Sequence, residues 1–149
     1  MPTADEVRTD DPSADEVRMI VPALPEFLRL ARVTAAGLGA RLGFTFDQVE
    51  DLRLAIDELC FGLTGPHGRP GDRVEIRFRV GTSSLEVEGT GLFDGDHRPA
   101  ELSELSKLIL AALVDEHGLT ESDEGPRFWV RKSLDTPPGK SFASPPGHS

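Results

Sequence analysis

The stretch from Thr45 to Leu63, led by Phe44, constrains the fold more than any other part of the chain. Val49, Leu52, Ile56, Leu59, Cys60 and Leu63 recur at steps of three and four, which gathers them in one stripe along a helix. Thr45 followed three residues later by Gln48 is a capping-box pattern, Phe44 and Val49 flank it as a hydrophobic staple, and Gly65-Pro66 ends the run. Away from the stripe, Asp51, Ala55, Glu58 and Gly62 follow one another at i, i+4, i+7 and i+11. Such a line of acidic and very small side chains leaves room for something to lie against the helix. A plain solvated back face has the same periodicity.

The flanking segments supply the rest of a domain. Val17 to Val21 reads as a short strand stopped by Pro22, after which Leu24, Phe27, Leu28, Ala31, Ala35, Leu38 and Leu42 share a helical face. Pro25 suits the first turn of that helix and Gly43 its end, while Arg29, Arg32 and Thr34 lie off the buried stripe. Arg73 to Val80 alternates strictly, with Val74, Ile76, Phe78 and Val80 on one side, and Ser84 to Glu88 returns as the second arm of a hairpin. Gly89 to Pro99 reads as a glycine-rich loop. Leu102, Leu105, Leu108, Ile109, Ala112 and Leu113 predict a third helix ending near Gly118, and Phe128 to Lys132 a last strand. Strand, helix, helix, hairpin, helix, strand is the order of a two-layer α/β (α+β) sandwich, in which a mixed, mostly antiparallel sheet carries three helices on one face.

Residues 1–16 hold six acids against one arginine, and 135–149 are rich in Pro, Ser and Gly; both read as disordered, leaving 17–134 as the domain. Ala-Asp-Glu-Val-Arg occurs at Ala4 to Arg8 and again at Ala14 to Arg18, too short a repeat to bear on the fold. With 26 acidic and 16 basic residues the formal net charge is −10, which argues against direct binding of nucleic acid or of an anionic membrane surface. No signal peptide is visible and no apolar run approaches the roughly 20 residues of a membrane span, so the cytoplasm is the expected location. The lone Cys60 lies on the apolar stripe as a small hydrophobe, and His67, His97, His117 and His148 have no ligand spacing, so no metal site is indicated.

The segment DLRLAIDELC resembles the first box of the GHKL (Bergerat-fold) ATP-binding family, in its small anti-sigma branch of the RsbW and SpoIIAB type. The resemblance extends over the element order from about Val17 to Leu134. It implies that Glu58 is the general base acting on a serine, and that Gly62 stands where the family has the asparagine that holds Mg²⁺ beneath ATP. Glycine has no side-chain oxygen for a hard cation. The second box, Asp-x-Gly-x-Gly, corresponds to Glu88, Gly89, Thr90 and Gly91, with Glu88 or a glycine in place of the aspartate that would accept from adenine. Glu101 to Lys107 stands for the glycine-rich lid without any glycine. Asp57 and Glu58 point about 100° apart on the helix and form no acid–base dyad.

Ala31-Arg32-Val33-Thr34 resembles a run in which the arginine contacts a sigma factor across a dimer, which implies Arg32, with Arg29 beside it, as the partner contact. Two functions follow as expectations. One is an anti-sigma factor that sequesters an alternative sigma factor and releases it by exchange with a STAS-domain anti-anti-sigma protein. The other is a serine/threonine protein kinase that uses ATP and Mg²⁺ to phosphorylate the STAS antagonist. A homodimer through the sheet is also expected, with Arg73 to Val80 offering an edge.

Overall fold

The computed structural model describes residues 15–94 and 100–134. The elements are β1 (Asp15–Pro22), α1 (Pro25–Leu42), α2 (Phe46–Thr64), β2 (Arg73–Val80), β3 (Ser84–Leu92), α3 (Glu104–Leu113), β4 (Glu116–Ser122) and β5 (Gly125–Ser133). The strands form one sheet in the order β1-β2-β3-β5-β4, and every pairing is antiparallel. The helices cover one face with α2 in the middle, touching α1 on one side and α3 on the other. The two-layer α+β architecture expected from the element order is the one observed.

Local signals set the helix ends. Thr45 Oγ1 accepts from the Gln48 backbone at 3.1 Å while Gln48 Oε1 accepts from the Thr45 backbone at 2.9 Å, so the capping box satisfies two otherwise orphaned donors of α2. Gly43 ends α1 at φ 101°, a left-handed turn that glycine adopts without a Cβ penalty. Leu52, Ile56 and Leu59 are fully buried against Val74, Ile76, Phe78, Leu85, Val87, Phe128 and Val130 of the sheet. Burial of this apolar area, at about 25 cal/mol per Å², is the main term opposing chain entropy.

Several expectations need correction. β4 was not anticipated: the third helix stops at Leu113, and Glu116–Ser122 is an edge strand paired with β5. Val114 takes up extended geometry (φ −136°, ψ 167°), and Lys132 donates to the Leu113 carbonyl at 2.7 Å, so the helix is capped where the apolar spacing alone would continue it. Gly118, read as a helix stop, instead admits the Trp129 ring across the β4–β5 pair. On α3, Leu105 and Leu108 are 66% and 70% exposed, whereas Leu110 is fully buried. Strand β3 runs on to Leu92, so Gly89 and Gly91 lie inside a strand and not in a loop, Gly89 beneath the Phe128 ring and Gly91 beneath Phe93. Strand β1 begins at Asp15, which places the second Asp-Glu-Val-Arg copy in the sheet. Strand β2 lies between β1 and β3 and is no edge for a dimer; the edges are β1 and β4. Residues 1–14, 95–99 and 135–149, including most of the acidic arm, part of the expected loop and the whole tail, lie outside the described residues.

Candidate functional site

The C-terminal half of α2 stands between two grooves. The first, about 580 Å³, is lined by Phe61, Gly62, Thr64, Phe93, Ser103 and Ser106 among others. That volume falls in the range of small-molecule sites, about 300–1,000 Å³. The second, about 640 Å³, runs between α1 and α2 and is lined by Leu28, Arg29, Arg32, Asp57, Cys60 and Phe61 among others. Phe61, Thr64, Gly65 and Pro66 belong to both.

Glu58 does not itself line the first groove and is joined to it through Ser106, which does. Its Oε1 accepts from Ser106 Oγ at 2.7 Å, and Ser103 Oγ donates in turn to Ser106 Oγ at 3.1 Å. Ser103 is the N-cap of α3, accepting from the Ser106 backbone at 3.0 Å, so the serine facing Glu58 sits on a capped first turn. A hydroxyl donating to a carboxylate is the ground-state geometry of general-base catalysis. Ser106 was missed in the sequence reading. Its signal was present: Leu102, Ser106, Leu110 and Leu113 follow one another at helical spacing, and the polar member of that stripe needs a partner.

Gly62 lies one turn after Glu58. A Cβ built there would stand 3.0 Å from Leu102 Cδ2 and 3.1 Å from Leu119 Cδ2. Leucines from the entry to α3 and from β4 therefore crowd the position, and a side chain there requires them to give by a few tenths of an ångström. Among the described residues no group of three or more His, Cys, Asp or Glu is arranged to hold a metal ion. With no oxygen at Gly62, leucine methyl groups above it and the Glu58 carboxylate engaged by Ser106, the described residues do not fit a Mg²⁺ site of the kind the first box implies.

Glu88 is not brought to this groove. It faces the uncovered side of the sheet, 3.0 Å from Arg127 and 3.7 Å from Arg77, because β3 alternates and Leu85, Val87, Gly89 and Gly91 take the helix-facing positions. Arg69 also lines the groove; its guanidinium lies 4.3 Å from the Phe93 ring centroid and its Nε donates to Asp72 at 2.9 Å.

In the second groove Arg32 Nη1 donates to Asp57 Oδ2 at 2.7 Å, and Arg29 is exposed beside it. Beneath them Cys60 is buried; desolvation, reinforced by the Asp57 carboxylate and opposed by Arg32, pushes its thiol up to about 12. Asp57 and Glu58, adjacent in sequence, thus clamp different neighbours: Asp57 holds α1, and Glu58 holds α3.

No protein-family model matches the chain. It is similar to the serine-protein kinase RsbW of Bacillus subtilis (strain 168), 35% identical over 114 residues, which span 72% of this chain and 70% of the relative. The serine-protein kinase RsbW of Bacillus licheniformis is 29% identical over 124 residues (70% of this chain, 77% of that one). That of Halalkalibacterium halodurans is 26% identical over 137 residues (80% and 84%).

Proposed function

For a chain that belongs to the serine-protein kinase RsbW family, we propose the role of an anti-sigma factor, one that sequesters an alternative sigma factor and yields it by exchange with a STAS-domain anti-anti-sigma protein. The observation that carries this reading is the placement of Arg32 in an open groove between two helices, together with leucine packing over Gly62. The first supports protein capture. The second works against a Mg²⁺-dependent switch. In this reading Arg32 and Arg29 contact the sigma factor, and occlusion of its polymerase-binding surface is the mechanism. The acidic balance, −10 overall, suits a basic DNA-reading partner and disfavours direct contact with nucleic acid. No helix among the described residues is long and apolar enough to cross a membrane, and the cytoplasm is the proposed place of action. Pairing of two copies at the exposed β1 or β4 edge is the proposed homodimer, which light scattering tests.

Co-expression with candidate sigma factors and affinity capture tests the main reading. Retention of a sigma factor by the native chain, reduced at least about tenfold in Arg32→Ala, supports it; retention of none rejects it. A second reading, a kinase that phosphorylates a STAS partner, is favoured by one specific observation, the 2.7 Å hydrogen bond from a serine hydroxyl to Glu58 beside a groove of ligand size. Gly62 would then be the close-approach position for nucleotide, since Gly89 is covered by Phe128, Gly91 by Phe93, and Glu88 lies on the open face of the sheet. Nucleotide titration separates the two, because ATP at a hundredfold its dissociation constant raises stability by about 2.7 kcal/mol. No shift in unfolding midpoint rejects the kinase.

A further inference from the structure

Arg32 carries an unresolved donor. Its Nη1 is committed to Asp57 at 2.7 Å, but its Nε is shut away from solvent and has no acceptor among the described residues. A buried N–H left unpaired is costly and is rarely tolerated without reason. The same groove presents Phe61 at 57% exposure, with Pro25 and Leu28 also in its lining. The Nε is not reachable as the side chain stands, so the guanidinium gains its missing acceptor only if an occupant meets the exposed part of Arg32, 29% of the side chain, and shifts it, an occupant with an acceptor flanked by apolar side chains.

We propose that Asp57 is the positioning residue of this groove: from α2 it holds the Arg32 guanidinium of α1 in the free chain, ready to receive an acceptor from the bound protein. The inference rests on the reading of Arg32 as the sigma-factor contact and adds a residue to it. Arginine has a long side chain whose freedom is lost on binding, and a planar fork already fixed on one side loses less. Asp57 is 46% exposed and Arg32 29%, so solvent screens this part-buried pair and its share of stability is modest. Its removal therefore leaves the fold intact and acts on affinity.

The experiment measures binding of the full chain to the sigma factor it retains, for the native chain, Asp57→Asn, Asp57→Glu, Arg32→Ala and the double variant Asp57→Asn/Arg32→Ala. Asp57→Asn is expected to weaken binding about three- to tenfold, the effect of leaving one long side chain unordered. Asp57→Glu is expected to recover most of that loss, and Asp57→Asn to add nothing once Arg32 is alanine. Unchanged or tighter binding by Asp57→Asn overturns the proposal, since Asp57 would then be idle or a competitor for Arg32. An equal loss in the Arg32→Ala background also overturns it. If the native chain retains no sigma factor, the anti-sigma reading falls and takes the proposal with it; retention with an inert Asp57→Asn removes the proposal alone.

Discussion

Leu102 lies over Gly62 so closely that a Cβ on the glycine would come within 3.0 Å of its Cδ2, with Leu119 at 3.1 Å on another side. The glycine is therefore a packing position as well as a departure from an ATP-binding pattern. It lets the entry to α3 close down on α2, and Ser106 then reaches Glu58. Glu58 is held from within the chain, and whatever uses it as a base must first displace a serine.

Restoring asparagine at this point does not simply restore a cation ligand. Gly62→Asn must push aside two leucine side chains, an overpacking that typically costs about 1–3 kcal/mol. A small gain in helix propensity offsets only part of that. Urea denaturation is expected to show a net loss of about 1 kcal/mol, with no further change when ATP and Mg²⁺ are added. A midpoint raised by the nucleotide in this variant alone would show that the leucines yield and a site reforms.

Lys132 is 5% exposed, yet its ammonium finds the Leu113 carbonyl at 2.7 Å and stands 3.7 Å from Asp51. It ties the end of α3 to β5 and α2. Lys132→Met preserves the apolar stem but leaves that carbonyl without its donor, with an expected loss of about 1–3 kcal/mol on denaturation. Hydrogen exchange should also quicken at the last turn of α3 before it changes in α2.

Glu16 links β1 to β2. Its partial burial would raise its pKa, but Arg77 and Arg18, with side-chain nitrogens each at 3.2 Å, outweigh burial and hold the carboxyl below the ordinary 4.5. A depressed carboxyl favours folding above pH 4.5, and that contribution disappears as pH falls through the folded-state value. Between neutral pH and pH 3 (about the range where carboxylates protonate), the native chain should lose stability more steeply than Glu16→Gln.

For Cys60 the sign is opposite. A thiol raised from 9.0 to about 12 stays protonated in the fold, so its contribution is complete below pH 9 and declines as pH climbs from 9 toward 12. Near neutrality a thiol reagent should label the chain only as fast as the core opens. Prompt labelling of the native state would show the groove between α1 and α2 to be deeper than described.

What the sequence determined by itself is whatever depends on a few neighbouring residues. The Thr45–Gln48 capping box, the stripe from Val49 to Leu63, the left-handed stop at Gly43 and the alternation of Arg73 to Val80 are set within one or two turns or one strand, and all appear where the spacing put them. The tertiary structure alone decided which distant groups meet. Strand β4 carries no alternating apolar signal because Leu119 is its one large apolar residue and none of its positions is fully buried, and its place came from pairing with β5. Glu88 turned away from the groove because the register of β3 assigns its side chain to the open face. Ser106 meets Glu58 across 48 residues of sequence. Helical and strand periods are local steric consequences of the backbone, whereas the partner of a polar side chain is chosen by which surfaces the packed core brings into contact.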